Sequence, residues 1–447
     1  MYITTFVEDL NTPAVALCNK DFLTDAKSAA SGKGMPSLRI VPENVPCECN
    51  IIQDIEVGIS EVIDDIISAL IQPLTDEEKS PKQKDLEKLP RISFKGSIEE
   101  VHRFFYKRGW GDGLPIIPPT EETVREMLIG TDLPADYVVG KIIPLLGKAT
   151  VEKIAINAVM AGALPTHMPL LIAAVEALMD PRCHFGTYEV STGSWSPFWI
   201  INGPVRNDLN INTGTGALSP GNIANAAIGR AMGLIIKNIG GARKGIEDMG
   251  VFGNPGKYSM VIGENEEQSR WEPLHVENGF KTEDSTISLF FPNSFLQVWP
   301  YGTDDKGILR GVTSNIIPGR RGLFCLMLTP HHAKILAQKG WTKKEIANYI
   351  SEYARVPAYR HPDYWGGSLP GKMLQHPPLN PEDSMSILWK SEWIRVLVAG
   401  GPGAFIGLLM GGSQSTIEWV TKKVKLPANW NTIVAKYKDI EPTKLYY

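Results

Sequence analysis

Between Gly58 and Gln72 the chain carries Ile59, Val62, Ile63, Ile66, Ile67 and Leu70 at spacings of three and four, a helix with one broad apolar face. Some other surface has to cover that face, because each such side chain left in water forfeits roughly 1.5–3 kcal/mol of burial. The residues before it are too few to do so. Pro13 to Cys18 reads as a short buried strand, Asp21 to Ser31 as a helix and Leu38 to Val41 as a second strand, so residues 1–75 spell βαβα. A parallel strand pair is buried on both faces in stable proteins, and two strands do not form an independent sheet. The pattern predicts an α/β fold whose N-terminal part is an incomplete doubly wound half domain. Its missing half is expected from a separate protein subunit, giving a hetero-oligomer with the active crevice at the interface.

A right-handed crossover places the carboxyl ends of both strands on one sheet edge. Cys18 closes the first strand and Cys47 and Cys49 follow the second, so three thiols are expected across the crevice where such sheets bind ligands. A C-x-C pair is too short for a zinc knuckle but suits a soft metal or disulfide exchange with a third thiol. For Cys18, in an apolar strand, a small buried hydrophobe is the competing reading.

Residues 76–96 are charged and punctuated by proline, which predicts a linker between the half domain and a large α+β domain over 97–447. The 447 residues are 43% hydrophobic and 21% charged with a net charge of −4, which leaves no basic field for a nucleic-acid backbone. A small-molecule partner is expected instead. The longest apolar stretches, Ala163 to Met179 and Ile394 to Met410, are interrupted by Pro, His, Glu or Gly, so no membrane span is expected. Five cysteines without a disulfide framework, and no secretory signal at Met1, point to the reducing cytoplasm.

In the large domain the strand Phe198 to Ile201 runs into a loop of small and amide residues, Asn210 to Ser219. Such a loop lets backbone approach a ligand closely. Ser219 before Pro220 reads as the N-cap of the next helix, whose positive end suits an anionic group. Asn202, Asn212, Thr213, Gly214 and Asn222 are the candidate substrate-binding residues. The loop spells neither a P-loop nor GxGxxG, and a demanding strand-to-helix connection fits it as well.

Acid/base candidates follow. The strand Lys257 to Gly263 leads into Glu264 to Glu267 and then into His275 and Glu277, which share a face if that segment is extended. With Glu264 or Glu266, His275 and Glu277 form a possible divalent-metal site or a general acid and base, unless the acidic run is a solvated turn. His331, at the start of a helix capped by Thr329, is the third candidate. His167, at another helix start, is expected to be neutral. A final strand, Trp393 to Ala399, enters Gly400 to Gly403, and Pro357 to Pro381 reads as a long irregular segment.

Several motifs together resemble one family. Gly34-Met35-Pro36-Ser37-Leu38-Arg39-Ile40-Val41, Gly109-Trp110-Gly111-Asp112-Gly113-Leu114-Pro115 with the Ile116 to Glu121 that follows, Asn157 to Gly162, and Trp271 to Glu277 are similar to the UGSC (seleno)protein family and the domain often fused to it. The resemblance covers most of the chain. It implies a full α/β N-terminal domain with a selenocysteine or cysteine motif upstream of the Pro13 to Cys18 strand, and therefore redox chemistry on a partner chain. Ala404 to Gly407 and the Cys47/Cys49 pair depart from the family pattern. The leading expectation is a subunit of a thiol- or selenol-dependent redox enzyme acting on a small polar or anionic substrate, with Cys18, Cys47, Cys49, His275 and His331 as its chemistry. The alternatives are a metal-assisted lyase or hydrolase and a non-catalytic assembly subunit.

Overall fold

The computed structural model describes residues 2–47, 49, 51–79, 93–317, 322–360, 380, 382–388, 390–412 and 417–438. Helices and strands are mixed throughout, in an α/β class. In the N-terminal unit β1 (Ala16–Asn19) and β2 (Ile40–Glu43) pair in parallel with Cys18 opposite Pro42. The helix between them, Leu23–Gly32, buries Ala26 and Ala30. An unforeseen helix, Tyr2–Asp9, precedes them.

The apolar stretch expected as one helix over Gly58 to Gln72 is two, Ile52–Ser60 and Ile63–Ile71. Gly58 lets the first helix press onto the loop after β2, since a Cβ there would lie 2.5 Å from Val45 Cγ2. Val62 is buried and Ile59 and Ile66 half-buried, but Ile63, Ile67 and Leu70 remain exposed at 44%, 47% and 40%. The chain itself therefore covers only part of the stripe. Arg39 ties the end of the second helix to the following one-turn helix Asp76–Lys79 through Ala69 O, Gln72 O and Glu78. The rest of the expected linker from residue 80 to 92 lies outside the described residues.

The large unit begins with a helix, Ile98–Lys107, started by a Ser97/Glu100 capping box. A short hairpin of β3 (Val138–Ile142) and β4 (Gly147–Thr150) leads into the hairpin of helices Val151–Met160 and Met168–Leu178, whose residues are almost all buried. Two four-stranded sheets follow. The first contains β5 (Phe198–Asn202), β6 (Val261–Gly263) and β7 (Thr286–Phe290); the second contains β8 (Pro292–Val298) and β9 (Phe324–Leu328). A small pair, β10 (Arg355–Pro357) and β11 (Ser384–Ser386), precedes β12 (Ile394–Val398) and β13 (Ile406–Gly411) of the second sheet, and β14 (Val420–Lys423) closes the first. Their orders are β14-β7-β5-β6 and β12-β9-β13-β8.

Within each sheet one neighbouring pair is parallel, β5 with β6 and β9 with β12, while the remaining pairs are antiparallel. β5 and β7, the inner strands of the first sheet, are buried at every residue, as strands covered on both faces must be. Strand β13, beyond the strand Trp393 to Ala399 that was expected to be the last, is fully buried as well. Most of the segment expected to be irregular, residues 361–379 and 381, lies outside the described residues. Among the described residues no helix is long and apolar enough to cross a membrane.

Candidate functional site

The carboxyl ends of four strands meet at one place. Glu264 N donates to Ile201 O, Asn265 N to Val398 O, Ala399 N to Leu328 O and Gly400 N to Thr213 O, which joins the ends of β5, β6, β9 and β12 from both sheets. In α/β proteins this is the edge where ligands bind. Three groups of sequence candidates are gathered here: the amide-rich loop, the acidic run with His275, and the Thr329 helix start beside the Gly400 to Gly403 turn.

Asn202 ends β5 and is wholly buried. Its Nδ2 donates to Glu264 Oε2 at 2.7 Å and Glu266 Oε1 at 2.9 Å, so two carboxylates fix the amide with its Oδ1 turned away from both. Gly203 N also donates to Glu266 Oε1, at 2.8 Å. Arg206, 3% exposed, binds Glu264 O at 2.6 Å and makes ion pairs of 3.0 Å with both Glu266 and Glu267. Hydrogen bonding from that guanidinium, first of all, pulls the Glu267 carboxyl down to about 2. Glu264 Oε2 accepts Leu274 N at 2.7 Å, and its other oxygen faces the Lys343 ammonium at 3.4 Å. Lys343 completes its three donors on Glu272 O at 2.7 Å and Glu277 Oε2 at 2.9 Å.

His275 lies in this network and is fully buried. Its Nε2 is 3.5 Å from Thr282 O, and because a carbonyl only accepts, that contact places a proton on Nε2. Nδ1 then faces Glu266 Oε1 at 3.9 Å, beyond hydrogen-bond reach. Asn202 Oδ1 and His275 Nδ1 are both buried without a hydrogen-bond partner. These two acceptors, on side chains that adjoin one carboxylate, each need a donor from water or a ligand, since an unmet buried polar atom costs about 1–3 kcal/mol.

The segment holding His275 and Glu277 is not extended. Leu274–Glu277 is a single helical turn, which turns residues two apart to different sides. His275 accordingly faces Glu266 while Glu277 pairs with Lys343. Burial raises the Glu277 carboxyl above its ordinary value, with Lys343 opposing. Among the described residues no group of three or more His, Cys, Asp or Glu side chains is arranged to hold a metal ion.

The amide-rich loop lies against the same edge. Asn212 Oδ1 accepts Gly214 N at 2.9 Å and its Nδ2 donates to Thr215 O at 3.0 Å, so its side chain is spent on shaping the loop. Asn225, which the sequence did not single out, fixes the loop to β6 by accepting Asn212 N at 2.8 Å and donating to Val261 O at 2.9 Å. Gly263 has Thr213 and Arg206 as neighbours; a Cβ there would lie 2.7 Å from Thr213 Cγ2 and 3.4 Å from Arg206 Cδ. Left-handed backbone falls at Gly216 (φ +68°), and Gly214 has no comparable requirement. The helix expected from Ser219 and Pro220 begins later, at Ile223, with Asn222 at the N-cap and no side-chain cap bond. Gly221 at φ +137° breaks the run between proline and helix.

At the rim, Thr329 caps its helix as expected, and its Oγ1 donates to Gly403 O at 3.4 Å. His332 is the buried member of the pair; burial lowers its imidazole to about 4, so it is neutral. His331 is exposed. His167 is buried, accepts Leu164 N on Nδ1 at 3.1 Å and is pushed down to about 3 by burial, in accord with the neutral ring expected.

The three candidate cysteines belong to the N-terminal unit. The parallel register puts Asn19 opposite Glu43, so both strand ends do share an edge, and Asn19 Nδ2 reaches Val45 O at 2.6 Å. Cys18 is half-buried, Cys47 exposed and Cys49 half-buried. Burial first, then Asp25 and Glu43, push the Cys18 thiol up, which makes it a poorer nucleophile. The helix after β1 docks on the large unit, with Ser28 Oγ donating to buried Glu247 at 2.6 Å.

The motif Gly109 to Pro115 also has a structural role. Asp112 forms a bidentate pair with Arg230 at 2.7 and 2.9 Å, while Asn238 bridges Trp110 O and Asn157 Oδ1. It is thereby clamped onto the end of the long helix that follows the amide-rich loop. Compared with known family models, curated proteins and solved structures, the chain matches none.

Proposed function

We propose that this chain is an enzyme subunit that binds a small polar or anionic substrate at the four-strand edge and moves a proton there with His275 and Glu266. The observation that carries this reading is the pair of buried, unpartnered acceptors, Asn202 Oδ1 and His275 Nδ1, on two side chains that both adjoin Glu266. One ligand O–H or N–H donates to Asn202 Oδ1, which orients the ligand. A second ligand O–H or N–H gives its proton to His275 Nδ1, leaving its conjugate base on the ligand and forming an imidazolium that Glu266 stabilises and whose Nε2–H keeps donating to Thr282 O. Arg206, paired with Glu266 at 3.0 Å, holds that side chain in place beside the imidazole. Glu266, 12% exposed, is the point of entry.

The test is a thermal-shift panel of small hydroxy- and amino-carboxylates on the purified chain. A compound that stabilises the wild type but not His275→Asn supports the site; equal stabilisation of both sinks it.

The redox reading rests on a different observation, the shared edge of β1 and β2 that Cys18 and the Cys47/Cys49 loop occupy. In it, a thiol- or selenol-bearing partner subunit in the cytoplasm adds strands to β1–β2, covers Ile63, Ile67 and Leu70, and makes a hetero-oligomer related to the UGSC-like proteins. Co-purification of a second chain that is lost on Ile67→Lys supports it. An active chain without any partner contradicts it.

A further inference from the structure

The second sheet ends in an edge that looks built for pairing. Among the described residues strand β8 lies outermost, and from Ser285 to Thr303 the sequence carries no charged residue. Edge strands usually carry charges, prolines or bulges that discourage pairing. Here the proline, the register shift opposite it and the bond from Ser196 N to Pro292 O are all confined to the start of β8. The stretch Ser294 to Val298 has none of these.

Aromatic surface continues from that open stretch. Phe295, Gln297 and Trp299 share one face by the two-residue period, and the Trp299 ring meets the Phe405 ring at 5.0 Å in an edge-on arrangement. Phe295, Trp299, Tyr301 and Phe405 are 41%, 63%, 65% and 49% exposed, with Leu296 at 38% on the opposite face. At ~150–250 Å² per aromatic side chain, these four rings present about 400 Å² per copy. That is about half of the ~800 Å² each partner contributes to a standard interface, before the paired backbone is counted. Patches of this size on single chains commonly mark interaction sites.

We propose that β8 is a homodimer interface at which two copies pair antiparallel across a twofold axis, extending the four-stranded sheet into a continuous sheet of twice that width. An uncharged strand is complementary to itself, so a second copy needs no matching charge pattern. The twofold axis makes the contact isologous, with Phe295, Trp299 and Phe405 of each copy packing beside the shared strands. This surface is distinct from the ligand edge and from the apolar helices of the N-terminal unit.

The test is sedimentation velocity on the purified full chain at micromolar concentration, with Leu296→Lys and Gln297→Lys as interface variants and Ile67→Lys as a control. Gln297 is exposed, so its substitution leaves the fold intact, as circular dichroism verifies. The wild type and Ile67→Lys are expected to sediment at twice the chain mass, and both β8 variants as monomers with at least a tenfold weaker association. A monomeric wild type, a dimer that survives both β8 variants, or a dimer dissolved by Ile67→Lys overturns the proposal.

Discussion

Replacing Lys343 with Met tests how the site is held together. The substitution keeps length and apolar stem but removes an ammonium that is 7% exposed and whose three donors meet Glu264, Glu277 and Glu272 O. Glu264 is fully buried, so losing its cation strands a carboxyl group that keeps only its bonds to Asn202 and Leu274. Breaking a buried pair in this way costs about 3–5 kcal/mol, against ~0–1 kcal/mol for a surface pair. Glu277 adds a pH dependence. Burial already raises its folded pKa, and Lys343 is the chief opposing influence, so the variant raises it further. A carboxyl raised on folding contributes stability at low pH that is lost as pH rises through the folded value. Urea unfolding followed by tryptophan fluorescence should therefore show the defect at pH 8 and a smaller one near pH 5. A loss under about 1 kcal/mol, equal at both pH values, would refute a buried ammonium-centred network.

Other consequences follow from the same structure. Burial raises Glu189 to about 7 beside Lys257, so its contribution is present below its ordinary 4.5 and lost as pH rises through 7; Glu189→Gln should flatten the stability profile across that window. Asp25 is raised to about 6 by burial and then by Glu247, at the docking face of the N-terminal unit. Asp25→Asn should slow hydrogen exchange in β1 and β2 most above pH 6, with the effect shrinking as pH falls and gone below the ordinary value of 3.8. A Cβ at Gly401 would lie 2.0 Å from Thr215 Oγ1, so Gly401→Val should displace the amide-rich loop and weaken ligand stabilisation in the thermal-shift panel while the circular dichroism spectrum is retained. In the complete enzyme, Cys47→Ser should abolish turnover with an unchanged thermal midpoint if the thiol edge is chemical; full turnover removes the redox reading.

Much of this was legible in local patterns. The cap at Thr329 forms as its spacing predicts, because a cap is decided within four residues. The parallel β1–β2 pair and the fully apolar β5 were equally readable. The break at Val62 was not, since isoleucine periodicity is the same in one helix as in two. Strands β7, β8, β13 and β14 were missed because their side chains are chosen by neighbours far along the chain. The same holds for the site. Asn202, Glu264, Glu266 and His275 stood out as residue types, but Arg206 and Lys343 bring no sequence signal, and their importance arises only where β5, β6 and the Lys343 helix meet. His275 and Glu277 were paired on an assumed extended segment, and a single helical turn sends them to different partners.

The central claim is that Asn202 Oδ1 and His275 Nδ1 wait for the donors of a small ligand. It is tested most directly by a crystal structure of the chain with the best stabilising carboxylate from the thermal-shift panel. The account predicts ligand O–H or N–H donors within about 3 Å of both atoms, with Glu266 beside them and the Arg206 pair retained. A ligand bound at the cysteine edge, or anywhere that leaves those two acceptors untouched, would contradict it.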